Sequence, residues 1–207
     1  MSHNTIFIGI AGPTASGKTL LAKTIVEELG SDQVMIISED SYYKDLVHLP
    51  IEERAKVNFD HPDAFDHDLL REQMEQLQQG KTVQVPLYDH SQHIRKAETC
   101  AVGNHTIVVI EGILLLSEPK IRELLDISLF MDTALDLCLL RRVSRDVKER
   151  ARTLECVLKQ YEQTVRPMYY QFIEPAKRHA DIIVPHGGKN RIAIEVIKAK
   201  MRELLEG

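Results

Sequence analysis

Gly12-Pro13-Thr14-Ala15-Ser16-Gly17-Lys18-Thr19 follows the pattern G-x-x-x-x-G-K-[ST], and no other stretch restricts the fold as tightly. Glycines at that spacing let backbone N–H groups curl around phosphate oxygens. A helix starting inside the loop points its positive end at the same anion. Lys18 then reaches the β- and γ-phosphates, and the Thr19 hydroxyl suits Mg²⁺. The chemistry requires a strand before the loop and a helix after it. Thr5 to Ala11 (TIFIGIA) reads as a buried strand, and Lys18 to about Leu29, stopped by Gly30, reads as the helix.

Four more apolar runs lack polar alternation: Val34–Ser38, Thr106–Ile110, Ile127–Met131 and Asp181–Val184. Helical patterns separate them. One starts at the cap Asp66 and stops at Gly80; others cover roughly 134–150, 154–172 and 190–206. The expectation is an α/β P-loop NTPase fold, a parallel five-stranded sheet flanked by helices. Residues 82–103 differ: Thr82–Val85 and Glu98–Val102 alternate and flank a polar stretch, which predicts a small inserted β-hairpin. At 207 residues the chain is expected to be a single domain, 1–207.

The net charge of −5 argues against a protein that coats nucleic acid and against a polybasic membrane anchor. Met1 to Asn4 carries no basic region, and no apolar run approaches the roughly 20 residues of a membrane span. Cys100, Cys138 and Cys156 form no C-x-x-C pair, so a reduced, cytoplasmic setting is expected. The charge is unevenly spread. Residues 141–152 hold six cations (Arg141, Arg142, Arg145, Lys148, Arg150, Arg152) against Asp146 and Glu149, a local charge of +4 that leaves −9 elsewhere. Arginine forks suit the oxygens of a transferring phosphoryl group, so this segment reads as a lid over phosphate.

Ligands of open α/β sheets bind beyond the carboxyl ends of the strands. Asp40 follows the second predicted strand and suits a general base for an attacking hydroxyl; Glu111 follows the third and suits Mg²⁺, held through water. Glu39 competes with Asp40 for the base role, but as its neighbour should point elsewhere. No N-K-x-D tetrapeptide reads guanine, which weighs against a GTPase, and the chain is short for a motor. A small-molecule kinase remains.

Longer blocks carry a resemblance. They are Glu39-Asp40-Ser41-Tyr42-Tyr43-Lys44, Asn58 through Asp66 (NFDHPDAFD), Glu111-Gly112-Ile113-Leu114, Arg141-Arg142 through Arg152, Gln160-Tyr161, Thr164-Val165-Arg166-Pro167, Phe172-Ile173-Glu174-Pro175 and Ala180 through Pro185 (ADIIVP). Over nearly its whole length the chain resembles the uridine–cytidine kinase family of pyrimidine salvage, bacterial members above all. The resemblance implies transfer of the γ-phosphoryl group of ATP (or GTP), with Mg²⁺, to the 5′-hydroxyl of uridine or cytidine. Asp40 matches the catalytic base, with Lys18 and Arg145 acting on the phosphates. Asp60, assisted by Arg142, matches the acid on the ribose hydroxyls, and Gln160 matches a ribose-pocket residue. Tyr43, Phe59, Tyr88 and His93 match positions around the base, and Arg150 and Arg152 match further lid arginines. Glu111 matches an acid near Mg²⁺. A cytoplasmic homotetramer inhibited by UTP or CTP is implied too.

Ionised Asp60 accepts two hydrogen bonds from vicinal hydroxyls, so a ribonucleoside is the expected substrate. A neutral His93 donates or accepts by choice of tautomer, which suits both uracil and cytosine. Pro13, His90, Ala151 and His186 depart from the family pattern. Pro13 removes one N–H from the loop, His90 replaces an aromatic ring, and Ala151 replaces a glycine in the lid. The alternatives are a related P-loop kinase of another small alcohol and a nucleotide-binding regulatory module.

Overall fold

Five apolar segments build one parallel sheet in the computed structural model, which describes residues 5–206. Met1–Asn4, with His3, lie outside the described residues. In chain order the elements are β1 (Ile6–Ala11), α1 (Lys18–Leu29), β2 (Val34–Ser38), the single turn α2 (Ile51–Arg54), α3 (His67–Gln78), β3 (Val83–Asp89), β4 (Ile94–Val102) and β5 (Ile107–Gly112). There follow α4 (Pro119–Arg122), β6 (Ile127–Asp132), α5 (Leu135–Glu149), α6 (Leu154–Gln160), α7 (Arg166–Met168), α8 (Glu174–Ala176), β7 (Ile182–Pro185) and α9 (Arg191–Glu206).

The sheet runs β2-β5-β1-β6-β7, and its residues alternate between two cores. Phe7, Val108, Ile110 and Phe130 face α3 and the hairpin; Ile8, Ile10, Val109 and Leu129 face α1 and α9. Burial on both faces explains why the strands read as unbroken apolar runs. β3 and β4 form a separate antiparallel pair, as expected, but each strand is longer than its alternating half. The residues at their tip, His90, Ser91 and His93, line the cavity described below.

Two expectations are corrected. Glu111 is not beyond its strand but the penultimate residue of β5, paired in register with Ser38 and Ile10. The helix expected over roughly 134–150 is α5, and Ala151, just past it, sits in the left-handed region at φ 52°. The helix predicted over 154–172 runs on to His179 through two π turns, Tyr161–Val165 and Tyr169–Ile173. The cause is Pro167 and Pro175, each two residues beyond a π turn. A proline inside an α-helix lacks its N–H and its ring strikes the carbonyl four residues back; a widened turn moves that carbonyl away.

Candidate active site

The order β2-β5-β1 brings three strand ends side by side. Ser38, Glu111 and Ile10 are neighbours in register, so Asp40, Glu111 and the loop after β1 converge at one edge. Gly12 and Gly17 adopt φ values of 142° and 101°, and Ala15 one of 58°. A Cβ on Gly12 would run into Met131, and one on Gly17 into the backbone of Gly188. Both glycines are therefore demanded by conformation and by space. Pro13 contributes its carbonyl, which accepts from Ser16 N at 3.1 Å and Lys18 Nζ at 3.0 Å. Thr133 Oγ1 donates to Ser16 O at 3.0 Å and ties the loop to the end of β6.

Lys18 is buried. Burial pushes its ammonium below its usual range, opposed by Glu111, Asp40 and Glu39. Burial also pushes the Glu111 carboxyl up, opposed chiefly by Lys18. Glu111 accepts from Ser38 Oγ at 3.0 Å, and Ser38 and the nearby Thr19 hydroxyl both help to hold its carboxyl down. One carboxylate beside one hydroxyl fits Mg²⁺, which keeps several waters and takes phosphate oxygens. Among the described residues no group of three or more His, Cys, Asp or Glu could enclose a metal.

Next to this edge lies a cavity of about 440 Å³. Thr14 and Asp40 line it and link it to Lys18, Thr19 and Glu111, which do not. Its aromatic end is built on Tyr43, whose ring meets Phe59 edge-on at 5.2 Å and packs on Phe65 at 4.3 Å. His93, at φ 55°, stacks on Phe59 at 4.7 Å. Burial, with Arg152 nearby, holds the His93 imidazole below its usual range and so neutral. His90 keeps the wall closed, edge-on to Tyr43 and Tyr88. Tyr88 is the exception among the expected base-pocket residues. It does not line the cavity but buttresses Tyr43 at 5.1 Å.

Across the cavity stands Asp60, buried on a turn where its N–H donates to Asn58 Oδ1 at 3.1 Å. Burial pushes its carboxyl up, and Arg142 is the chief group opposing that. The Arg142 guanidinium donates to Thr14 Oγ1 at 3.0 Å and Gln160 Oε1 at 2.9 Å; Arg152 donates to the same Gln160 oxygen at 2.7 Å. Arg145 and Arg150 complete the cationic wall.

One feature of the site goes beyond the sequence expectations. Asp146, 0% exposed, is the hub of the lid. Arg145 Nε donates to it at 2.9 Å, and Arg142, Arg150 and Arg152 lie within 3.7–3.8 Å. The four-residue spacings of 142, 146 and 150 were the available signal. Glu39 does point away from Asp40, into a buried contact with His67 and Leu114 N. Ser91, Ile113 and Glu149 also line the cavity and carry no sequence signal of their own.

The Phosphoribulokinase / Uridine kinase family model matches residues 7–193. The chain belongs to that family. It is 56% identical over 212 residues to a uridine kinase of Vibrio atlanticus (strain LGP32), covering 100% of both chains. A uridine kinase of Aeromonas hydrophila subsp. hydrophila is 54% identical over 209 residues, 99% of this chain and 98% of that one. Phosphoribulokinase from Rhodobacter spheroides shares the fold at a TM-score of 0.64 and 14% identity, over 89% of this chain and 71% of that one.

Proposed function

We propose that this family member transfers the γ-phosphoryl group of ATP, or of GTP, to the 5′-hydroxyl of uridine or cytidine, giving the nucleoside 5′-monophosphate. The observation that carries the reading is one cavity. Asp40 stands between the phosphate loop and a pocket that ends in Asp60 and an aromatic wall. The full-length similarity to uridine kinases supports the choice of nucleoside.

In this reading the ribose hydroxyls donate to Asp60, kept in place by Arg142 and Gln160. The base lies against Tyr43 and Phe59, with His93 at its polar edge. That pose directs the 5′-hydroxyl at Asp40, which takes its proton as the oxygen attacks the γ-phosphorus; the bond from that phosphorus to the β–γ bridging oxygen breaks and ADP (or GDP) leaves. Lys18 and the backbone N–H groups of residues 12–19 hold the phosphates. Thr19, and Glu111 through water, would hold Mg²⁺, which would further neutralise phosphate charge. Arg145, Arg150 and Arg152 cover the transferring group and exclude water, which suppresses hydrolysis of the donor. From the resemblance we also assign a homotetramer, inhibition by UTP and CTP, and a cytoplasmic place in pyrimidine salvage. No helix among the described residues is long and apolar enough to cross a membrane.

The test is a panel of uridine, cytidine and 2′-deoxyuridine with ATP and Mg²⁺, products identified by mass. UMP and CMP are expected. Because Asp60 would lose a donor, 2′-deoxyuridine should be used at least ~10²-fold less efficiently in kcat/KM. Equal use of the deoxynucleoside rejects the Asp60 assignment, and absence of any monophosphate rejects the reading. In the same assay Asp40→Asn should lower kcat by roughly 10²–10⁴-fold while ATP still binds.

A further inference from the structure

Glu39 is fully buried and has no part in the steps above. Its Oε1 lies 2.9 Å from His67 Nε2, and its Oε2 accepts from Leu114 N at 2.9 Å. These contacts join the 3₁₀ turn Glu39–Tyr42 after β2, the first residue of α3 and the segment after β5. A Cβ on Gly112 would run into the Glu39 side chain, so the carboxylate is packed against the β5 backbone itself.

The neighbours in sequence give this contact its meaning. Glu39 precedes Asp40, and Gly112 follows Glu111. One carboxylate thus clamps together the two strand ends that carry the two acids. His67 closes the clamp from outside. Its ring stacks parallel to Phe65 at 5.2 Å, and Phe65 packs on Tyr43 of the cavity wall. Burial disfavours the His67 imidazolium, but the Glu39 hydrogen bond and charge, with Glu118 and Asp66, outweigh it and hold its pKa above the usual value. The negative charge of Glu39 also reaches Lys18.

We propose that His67 and Glu39 act as a positioning pair for phosphoryl transfer, setting the placement of Asp40 relative to Glu111 and Lys18. The inference rests on the reading of Asp40 as the base. Misplacement of a reacting group by about 1 Å costs on the order of 10²-fold in rate without touching binding contacts. The pair should therefore act on turnover rather than on substrate affinity.

The experiment measures kcat and KM with uridine and ATP for His67→Ala, Glu39→Ala and Glu39→Gln, per nucleotide-binding site counted with a fluorescent ATP analogue. His67→Ala should lower kcat by about 10–10²-fold, with both KM values within about 2-fold of wild type. Glu39→Ala should lower it at least as far. Glu39→Gln keeps an acceptor for Leu114 N and turns its NH2 to His67, whose Nε2 accepts in the neutral tautomer protonated at Nδ1, and should recover most of the turnover lost in Glu39→Ala. If Glu39→Ala does not fold, His67→Ala and Glu39→Gln decide the matter: the pair predicts a larger loss for the first. Unchanged kcat in His67→Ala overturns the pair's role, as does a loss confined to KM, or a Glu39→Gln no better than Glu39→Ala. Those results require a wild type that makes UMP; a wild type that makes none overturns the reading of the site itself.

Discussion

The phosphate loop 12–19 and the cationic lid 141–152 meet the same cavity through Thr14 and Arg142, but they are held in opposite ways. The loop is shaped by its backbone. Gly12, Ala15 and Gly17 sit at positive φ, and Met131 and Gly188 leave no room for side chains at the two glycines. The lid is shaped by side chains. Four guanidiniums gather on Asp146, and its only unusual backbone residue is Ala151. A structure set by backbone is local and recurs wherever its residues recur. A structure set by one buried acid depends on every group that acid holds.

The comparison makes unequal predictions. Gly17→Ala should break the loop outright, because the new Cβ meets backbone and the residue stays at φ 101°. Loss of measurable ATP binding by calorimetry is expected, with the lid intact. Asp146→Asn should loosen the lid and spare the loop. Breaking a buried ion pair costs about 3–5 kcal/mol; here roughly half is expected, because Arg145, Arg150 and Arg152 reach solvent. A lower Tm and a fall in kcat that grows as salt is removed should accompany unchanged ATP affinity. Equal damage to ATP binding would mean that loop and lid are one unit. The smallest effect belongs to Ala151→Gly. Relief of the left-handed backbone, less the added freedom of the unfolded chain, should stabilise by about 0.5–1 kcal/mol, read as a small rise in Tm.

Legibility in the sequence follows the same division. Thr5–Ala11 and the glycine spacing already imply strand, loop and helix, because each uses contacts within a few residues. The hairpin is visible over 82–103 as alternation, though the full length of each strand is not. Helical periodicity continues through 154–172 and says nothing of π turns, since Pro167 and Pro175 are accommodated by neighbours rather than by spacing. Tyr88 sits beside site residues in sequence and one layer behind them in space. Asp146 looks like a charge diluting a basic helix until its burial is known.

What the sequence determined by itself is the chemistry on offer: a phosphate loop, acids at the ends of two strands, a further acid in the Asn58–Asp66 block, and arginines in excess. Tertiary structure alone decided how these meet. The order β2-β5-β1 sets Asp40, Glu111 and Lys18 together, and packing buries Glu39 against His67 and Leu114 and Asp146 among four guanidiniums. The reason is physical. Local backbone geometry depends on neighbours along the chain, whereas the worth of a charge depends on the solvent and counter-charges around it, and only the packed fold supplies those.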